Sequence, residues 1–439
     1  MGKNKINDLT NGDIKKILIG LAIPIIGASF LQMTYGLVDM LWIGRLGSNS
    51  VAAIGTASFF INLGYAINSM VVTGAGIKIS HTIGEKNLEK TSSLIKAGIT
   101  INRGIGILFI GAILLFSSQL VAFFNLNAEV ESLARIYLLI AGFGLTFKFK
   151  NFLYTRILNS FGESKLPFKI SFVGVLINIV LDPILIFGFN LGVGGAALAT
   201  IIAEGTMSLL FSVHSKKYFI IDGYFSKEYS EMKEMMKLGF PIALQRVLFT
   251  GFGIAVAKII STWGADAIAA QKIGLQLESI SFMTIGGLQG AVSSFVGQNY
   301  GARLKERIKD GYTIAIKLAL LVGTISTILF LVFPENLAKL FVSKKDTVDI
   351  TVNYLKIIGL SQIFMCFEIV TNGSFSGIGK PKIPSTISII FTSLRIPIAF
   401  ILSKEEYFGL NGVWIAISGT SIIKGIISPM IFRKSLKKI

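Results

Sequence analysis

The 439-residue sequence has a single cysteine, two histidines, and only 24 Asp and Glu against 42 Lys and Arg. Cys366 stands alone in an apolar run, so no internal disulfide is possible. With His81 and His214 far apart in the chain, no set of soft ligands for zinc or copper is present either. Charge is scarce: 15% of residues are ionic, well below the quarter found in soluble domains. There is no Walker loop, no HExxH pair and no serine–histidine arrangement at catalytic spacing, which argues against ATP hydrolysis and against an intramembrane enzyme. Gly104-Ile105-Gly106 and Gly192-Val193-Gly194-Gly195 lie within or beside apolar runs rather than after a soluble strand. Close helix packing or a tight turn explains them better than a phosphate cradle.

What is abundant is apolar sequence, at 52% of residues. Nearly uncharged runs such as Gly104 to Leu115 and Leu318 to Phe333 recur about every 35 residues. Crossing ~30 Å of hydrocarbon takes about 20 helical residues. The pattern predicts twelve spans, at roughly 17–43, 51–77, 98–124, 132–158, 168–189, 194–214, 238–262, 266–296, 312–335, 351–377, 383–403 and 409–432. The net charge of +18 does not point to nucleic acid, because the basic residues gather in alternate loops. Lys3, Lys15, Lys86, Lys90, Lys165, Lys216, Arg303, Lys380 and Lys434 fall on one side, and few bases beyond Arg45, Lys339, Lys344, Lys345 and Lys404 on the other. By the positive-inside rule both termini are cytoplasmic, in a multi-pass protein of the cell membrane. The polar N-terminus and long first run read as a first span rather than a cleaved signal peptide. Trp42, Trp263 and Trp414 are expected at outer helix ends, as an aromatic belt.

Sliding the chain against itself by 217 residues aligns Pro24 with Pro241, Gly162 with Gly379, Lys165 with Lys382, Pro167 with Pro384 and Gly195 with Gly412, without a gap. Prolines and a lysine in register argue for duplication. The expected fold is therefore an all-α polytopic membrane protein of twelve transmembrane helices. Its two six-helix lobes are related by pseudo-two-fold symmetry along the membrane normal. The expected limits are an N-terminal lobe at 1–214, a cytoplasmic linker at 215–236 and a C-terminal lobe at 237–439.

Ionisable groups inside spans are costly and mark functional candidates. Asp39 and Asp182 fall in the outer half of spans 1 and 5. Asn178 precedes Asp182 by one helical turn, and Thr200 reaches similar depth in span 6. Two carboxylates close together in a low dielectric share a proton or hold a cation, and oxygen-only ligation suits Na⁺ or H⁺. The alternative is that Asp39 caps a frayed helix end and Asp182 pairs with a lysine. In the second lobe the repeat partners of Asp39, Asn178 and Asp182 are Val256, Arg395 and Ala399. Its acids, Glu278 and Glu368, sit elsewhere; Arg395 either neutralises one of them or meets substrate. Gln32, Tyr35, Gln271, Gln276, Glu278, Glu368 and Arg395 are candidates to line a substrate cleft. Lys148 and Lys150 are read as cleft-lining or snorkelling.

Several segments together resemble the prokaryotic multidrug and toxic compound extrusion (MATE) family along essentially the whole chain. They are Pro24 with Gln32 to Gly47 (QMTYGLVDMLWIGRLG), Asn159 to Pro167 (NSFGESKLP), Asn178 to Pro183 (NIVLDP), Gly192 to Ala199 (GVGGAALA) and Gly286 to Ala302 (GGLQGAVSSFVGQNYGA). The resemblance implies a secondary antiporter that exports small organic, often cationic, compounds in exchange for Na⁺ or H⁺ by rocking two lobes. It implies no other cofactor, and an ion site at the positions matching Asp39, Asn178, Asp182 and Thr200. One branch of the family has an acid in span 7, but the stretch after Pro241 reads Ile-Ala-Leu-Gln-Arg-Val-Leu-Phe and has none. Glu368 resembles that branch's acid in span 10. The expected partners are small organic substrates and membrane lipid, without ATP, for a chain working as a monomer. The competing expectation is a flippase of lipid-linked saccharides, which needs a wide, strongly basic cleft.

Overall fold

Short polar and glycine-containing turns divide the apolar sequence into helices, while Pro24, Pro241, Pro397 and Pro429 lie inside them. A computed structural model describes residues 7–219 and 228–438. Among them there are α-helices and no strands. The first half contains α1 (Ile14–Gly44), α2 (Ser48–Gly84), α3 (Leu88–Ala122), α4 (Ala128–Ser160), α5 (Lys165–Pro183) and α6 (Gly192–His214). The second contains α7 (Tyr229–Ser261), α8 (Ala265–Gly301), α9 (Lys305–Val332), the short α10 (Pro334–Lys339), α11 (Lys345–Gly359), α12 (Gln362–Gly377), α13 (Lys382–Leu402) and α14 (Leu410–Leu436). Shifted by 217 residues, α2 coincides with α8, while α3 and α4 cover the pairs α9–α10 and α11–α12. Among the described residues eleven helices are long and apolar enough to cross a membrane, and the bent pair α11–α12, taken as one span, brings the number to twelve.

That twelfth span departs from the continuous helix expected over 351–377: α11 and α12 meet at 55°. A helix broken inside hydrocarbon must find other partners for its freed carbonyls. Here Thr327 Oγ1 donates to the Gly359 carbonyl at 2.9 Å, and Ser361 Oγ to that of Ile358 at 2.9 Å. Pro183, which cannot donate to the ladder, sits where α5 widens into a π turn over Ile184–Gly188, one residue beyond Asp182.

The chain forms two compact units. Of the described residues, one comprises 7–9 and 27–243, the other 10–26 and 244–438. Compared with the expected limits of 1–214 and 237–439, the first turns of α1 group with the second unit and the first turns of α7 with the first. The two switch points, before Gly27 and before Leu244, are related by the same 217-residue shift as the repeat. Of the expected linker at 215–236, residues 220–227 lie outside the described residues, and from Tyr229 onward the segment is already helix α7. Its acids explain why it docks. Glu231 lies 3.5 Å from the Lys78 ammonium of α2 and 3.9 Å from Lys90, and Glu234 also pairs with Lys78. Tyr218, just after α6, donates to Glu163 at 2.9 Å. Burial and that carboxylate push its pKa up to about 12.

Within the first unit α2 and α7 cross at glycines. A Cβ on Gly74 would run into the Met235 carbonyl, and one on Gly239 into the Met70 carbonyl. Gly239→Val is therefore expected to destabilise the protein by about 3 kcal/mol, the upper end of overpacking costs. Gly251→Val, on the same helix with nothing within 4 Å, is the neutral control. The thermal midpoint of monodisperse protein in detergent reads the difference; equal midpoints would show that the crossing has room.

The aromatic-belt expectation fails for Trp414. It is fully buried, edge-on to Tyr354 at 4.8 Å between ring centroids, in the core with Val256, Leu277 and Leu355. A glycine-preceded helix start packed inside the unit, rather than facing lipid, accounts for this. Trp42 is half-buried and carries the Arg45 guanidinium 4.7 Å over its ring.

Candidate functional site

In the first unit, helical spacing places Gln32, Tyr35 and Asp39 on one face of α1, Asn178 and Asp182 on α5, and Thr200 and Glu204 on α6. Tyr35 and Thr200 exchange a hydrogen bond between hydroxyls at 2.8 Å, tying α1 to α6. Asn178 Nδ2 donates to Asp182 Oδ1 at 3.1 Å, and both residues are fully buried. Asp39 lies near enough to Asp182 for the two carboxylates to repel, and near enough to Lys148 for attraction. Among the described residues no lysine pairs with Asp182, which accepts from Asn178 two residues before the π turn, and this removes the part of the alternative that paired it with a lysine.

Three oxygens of this cluster, Asp39 Oδ1, Asn178 Oδ1 and Asp182 Oδ2, are buried without a hydrogen-bond donor. Buried acceptors left unmade are costly, and a group of them suits a proton or a hard cation. No cluster of three or more His, Cys, Asp or Glu that could hold a metal occurs among the described residues. Two carboxylates with amide and hydroxyl oxygens make a set of hard oxygen donors.

Next to the acids lies a polar network that the sequence reading did not assemble. Lys148 of α4 is 3.5 Å from Glu204 and lies over the rings of Tyr35 and Tyr65 at 5.7 and 5.2 Å. Asn151, one turn on, donates to the Glu204 carboxylate at 2.7 Å and to its backbone carbonyl at 2.9 Å. The one available signal was spacing: Glu204 follows Thr200 by four residues on the same helix. A cavity of about 20 Å³, room for about one water, is lined by Gln32, Tyr35, Asn178, Thr200 and Glu204 but not by Asp39 or Asp182.

The second unit holds a cavity of about 510 Å³ that brings together Gln271, Glu278, Glu368 and Arg395. Gln276 does not join its lining; its carbonyl accepts from Ser279 Oγ at 2.6 Å. Glu278 accepts from the Tyr354 hydroxyl and, at 3.5 Å, from Gln362. Glu368 accepts from Ser388 at 2.8 Å, and its ion-pair partner is Lys424, at 3.0 Å. Arg395 instead donates to Thr420 at 2.8 Å and Ser421 at 2.7 Å. Lys424 was not among the candidates read from the sequence, although it lies within the span expected over 409–432 and an intramembrane lysine was itself the available signal.

The two cavities are copies of one another. Eight of the eleven residues lining the small one have their 217-shifted partners on the large one, among them Tyr35 with Phe252, Asn178 with Arg395, Thr200 with Ile417 and Met207 with Lys424. The framework is kept while its polar groups differ, with cations in the second unit at positions held by Asn178 and Met207 in the first.

A sequence model of the MatE family matches residues 24–184 and again 241–401, two copies at the same shift. The chain belongs to the MatE family. It is 29% identical over 437 residues to the probable multidrug resistance protein NorM of Thermotoga maritima, covering 97% of this chain and 91% of that one. It is 26% identical over 407 residues to the multidrug export protein MepA of Staphylococcus aureus, covering 91% and 89%. The fold matches that of a solved outward-facing multidrug resistance MATE family transporter of the MOP superfamily, with a TM-score of 0.93, 24% identity and full coverage of both chains. This MatE-family chain is thus a multi-pass membrane transporter in two six-helix lobes, and not an enzyme. Its family works without a cofactor.

Proposed function

We propose that this MatE-family protein is a secondary antiporter that exports small organic, positively charged compounds from the cell in exchange for Na⁺ or H⁺. The observation that carries the reading is the group of unpartnered buried oxygens on Asp39, Asn178 and Asp182 in the first unit. Binding of the ion there favours one of two access states over the other, and that difference in affinity drives alternating access. Thr200, bonded to Tyr35, links α6 and α1 next to the acids and supplies a further oxygen. The cavity of the second unit is assigned to substrate: the rings of Phe249, Phe252 and Phe282 offer an adaptable apolar wall, with Glu278 and Glu368 for a cationic group. The named relatives are multidrug resistance and export proteins, which supports a broad organic substrate range. Both termini face the cytoplasm of a plasma-membrane protein that acts as a monomer. A lipid-linked saccharide flippase is disfavoured, because the second cavity balances Arg395 and Lys424 with two acids instead of presenting a basic cleft.

Purified protein in proteoliposomes tests the reading, with efflux of a fluorescent organic cation followed while a Na⁺ gradient and a pH gradient are imposed separately. One of the two is expected to drive efflux and thereby name the ion. Efflux that ignores both gradients refutes the antiporter.

A further inference from the structure

A third cavity, of about 280 Å³, lies between α3, α4 and α6 in the first unit, and neither the ion nor the substrate role uses it. Its polar lining is Asn102, Arg103, Thr146, Lys150, Tyr154 and Ser208, and none of the described residues lining it is acidic. Lys150 is held in place: its ammonium donates to the Ser208 carbonyl at 3.2 Å and to Ser212 Oγ at 2.6 Å, and lies 5.4 Å over the Tyr154 ring. The cavity also takes in the exposed side chains of Ile107 and Phe147, and Leu108 and Leu209 nearby are 75% and 69% exposed, as on a face turned to lipid. Arg103 is seven residues past Lys96, about 10 Å along the helix. It therefore lies in the leaflet adjoining the basic loops of Lys86, Lys90 and Lys165. The duplicated fold does not require these cations, since the 217-shifted partners of Arg103 and Lys150 are Leu320 and Phe367.

Two cations on one cavity wall beside exposed apolar side chains fit an anionic amphiphile better than a soluble ion. We infer that this cavity binds the phosphate of an anionic glycerophospholipid from the leaflet next to the basic loops, with Arg103 and Lys150 on the headgroup and the acyl chains along Ile107 and Phe147. Such a lipid would tie α3 to α4 and α6 from the outside.

The test is native mass spectrometry of the full-length protein from detergent micelles, titrated with dioleoylphosphatidylglycerol or dioleoylphosphatidylcholine, with and without millimolar inorganic phosphate. The first phosphatidylglycerol is expected to bind roughly tenfold or more tightly than phosphatidylcholine, about what two basic residues supply. Arg103→Gln, at an exposed position, should lose that preference while the protein stays monodisperse, and Arg103→Lys should keep it. Inorganic phosphate should not compete. Equal affinity for the two lipids, a preference that survives in both Arg103→Gln and Lys150→Gln, or displacement of the lipid by free phosphate would each overturn the assignment.

Discussion

Asp39→Asn and Asp182→Asn are each expected to abolish gradient-driven export while leaving a folded, inserted protein. The amide keeps the volume and one acceptor oxygen of the carboxylate but neither binds a proton near neutral pH nor attracts a cation, so the difference in ion affinity between access states disappears. Coupling of this kind is worth about 5- to 150-fold in affinity, and removing it should bring driven efflux down by a comparable factor, to near the level of protein-free liposomes. Folding should survive because Asn178 Nδ2 can still donate to the amide oxygen placed at Asp182, across the bond now 3.1 Å long. The assay compares initial rates under the driving gradient with a matched, gradient-free control. Wild-type rates from both variants would remove the proposed switch, while loss in one alone would assign coupling to that carboxylate.

The second large effect concerns Glu368 and Lys424, each only 7% exposed and 3.0 Å apart. A buried pair adds little net stability, but removing one partner strands a charge in low dielectric, at a cost of about 3–5 kcal/mol. Lys424→Met should therefore lower the thermal midpoint sharply, because it leaves the buried Glu368 carboxylate with the neutral Ser388 hydroxyl in place of its cation. Adding Glu368→Gln to that variant should recover most of the loss, since no charge is then left unpaired. The interaction energy from this double-mutant cycle is the deciding number. If the two single losses merely add, the pair is not a unit and Lys424 is free to meet a ligand.

Much of the architecture was legible because membrane burial imposes long apolar runs, and because duplication left prolines in register. Pro24 and Pro241 open both family matches, and Pro183 sits at the π turn after Asp182. Asn178 and Asp182 were readable as partners from i, i+4 spacing alone. What escaped depended on which helix faces which. Glu204 gained meaning only once α4 brought Lys148 and Asn151 against α6. The ion pair of Glu368 fell to Lys424 rather than Arg395, a choice between two cations that no spacing rule makes. The break between α11 and α12 has no proline to announce it; it is sustained by Thr327, a residue of another helix. Trp414 resembles a belt residue by position and is a core residue by packing.

The arrangement of α1 and α7 bears on how such a chain arose. Each compact unit is completed by opening turns encoded in the other half, with matching switch points in the two copies. A single-copy ancestor built this way would have been incomplete by itself and whole only as a pair of chains, each lending its leading arm to its twin, as in a domain-swapped homodimer. Fusion of two such copies would turn that exchange between molecules into an exchange within one. The two halves have since diverged: where the first has Asn178 and Met207, the second has an arginine and a lysine, around a much larger chamber.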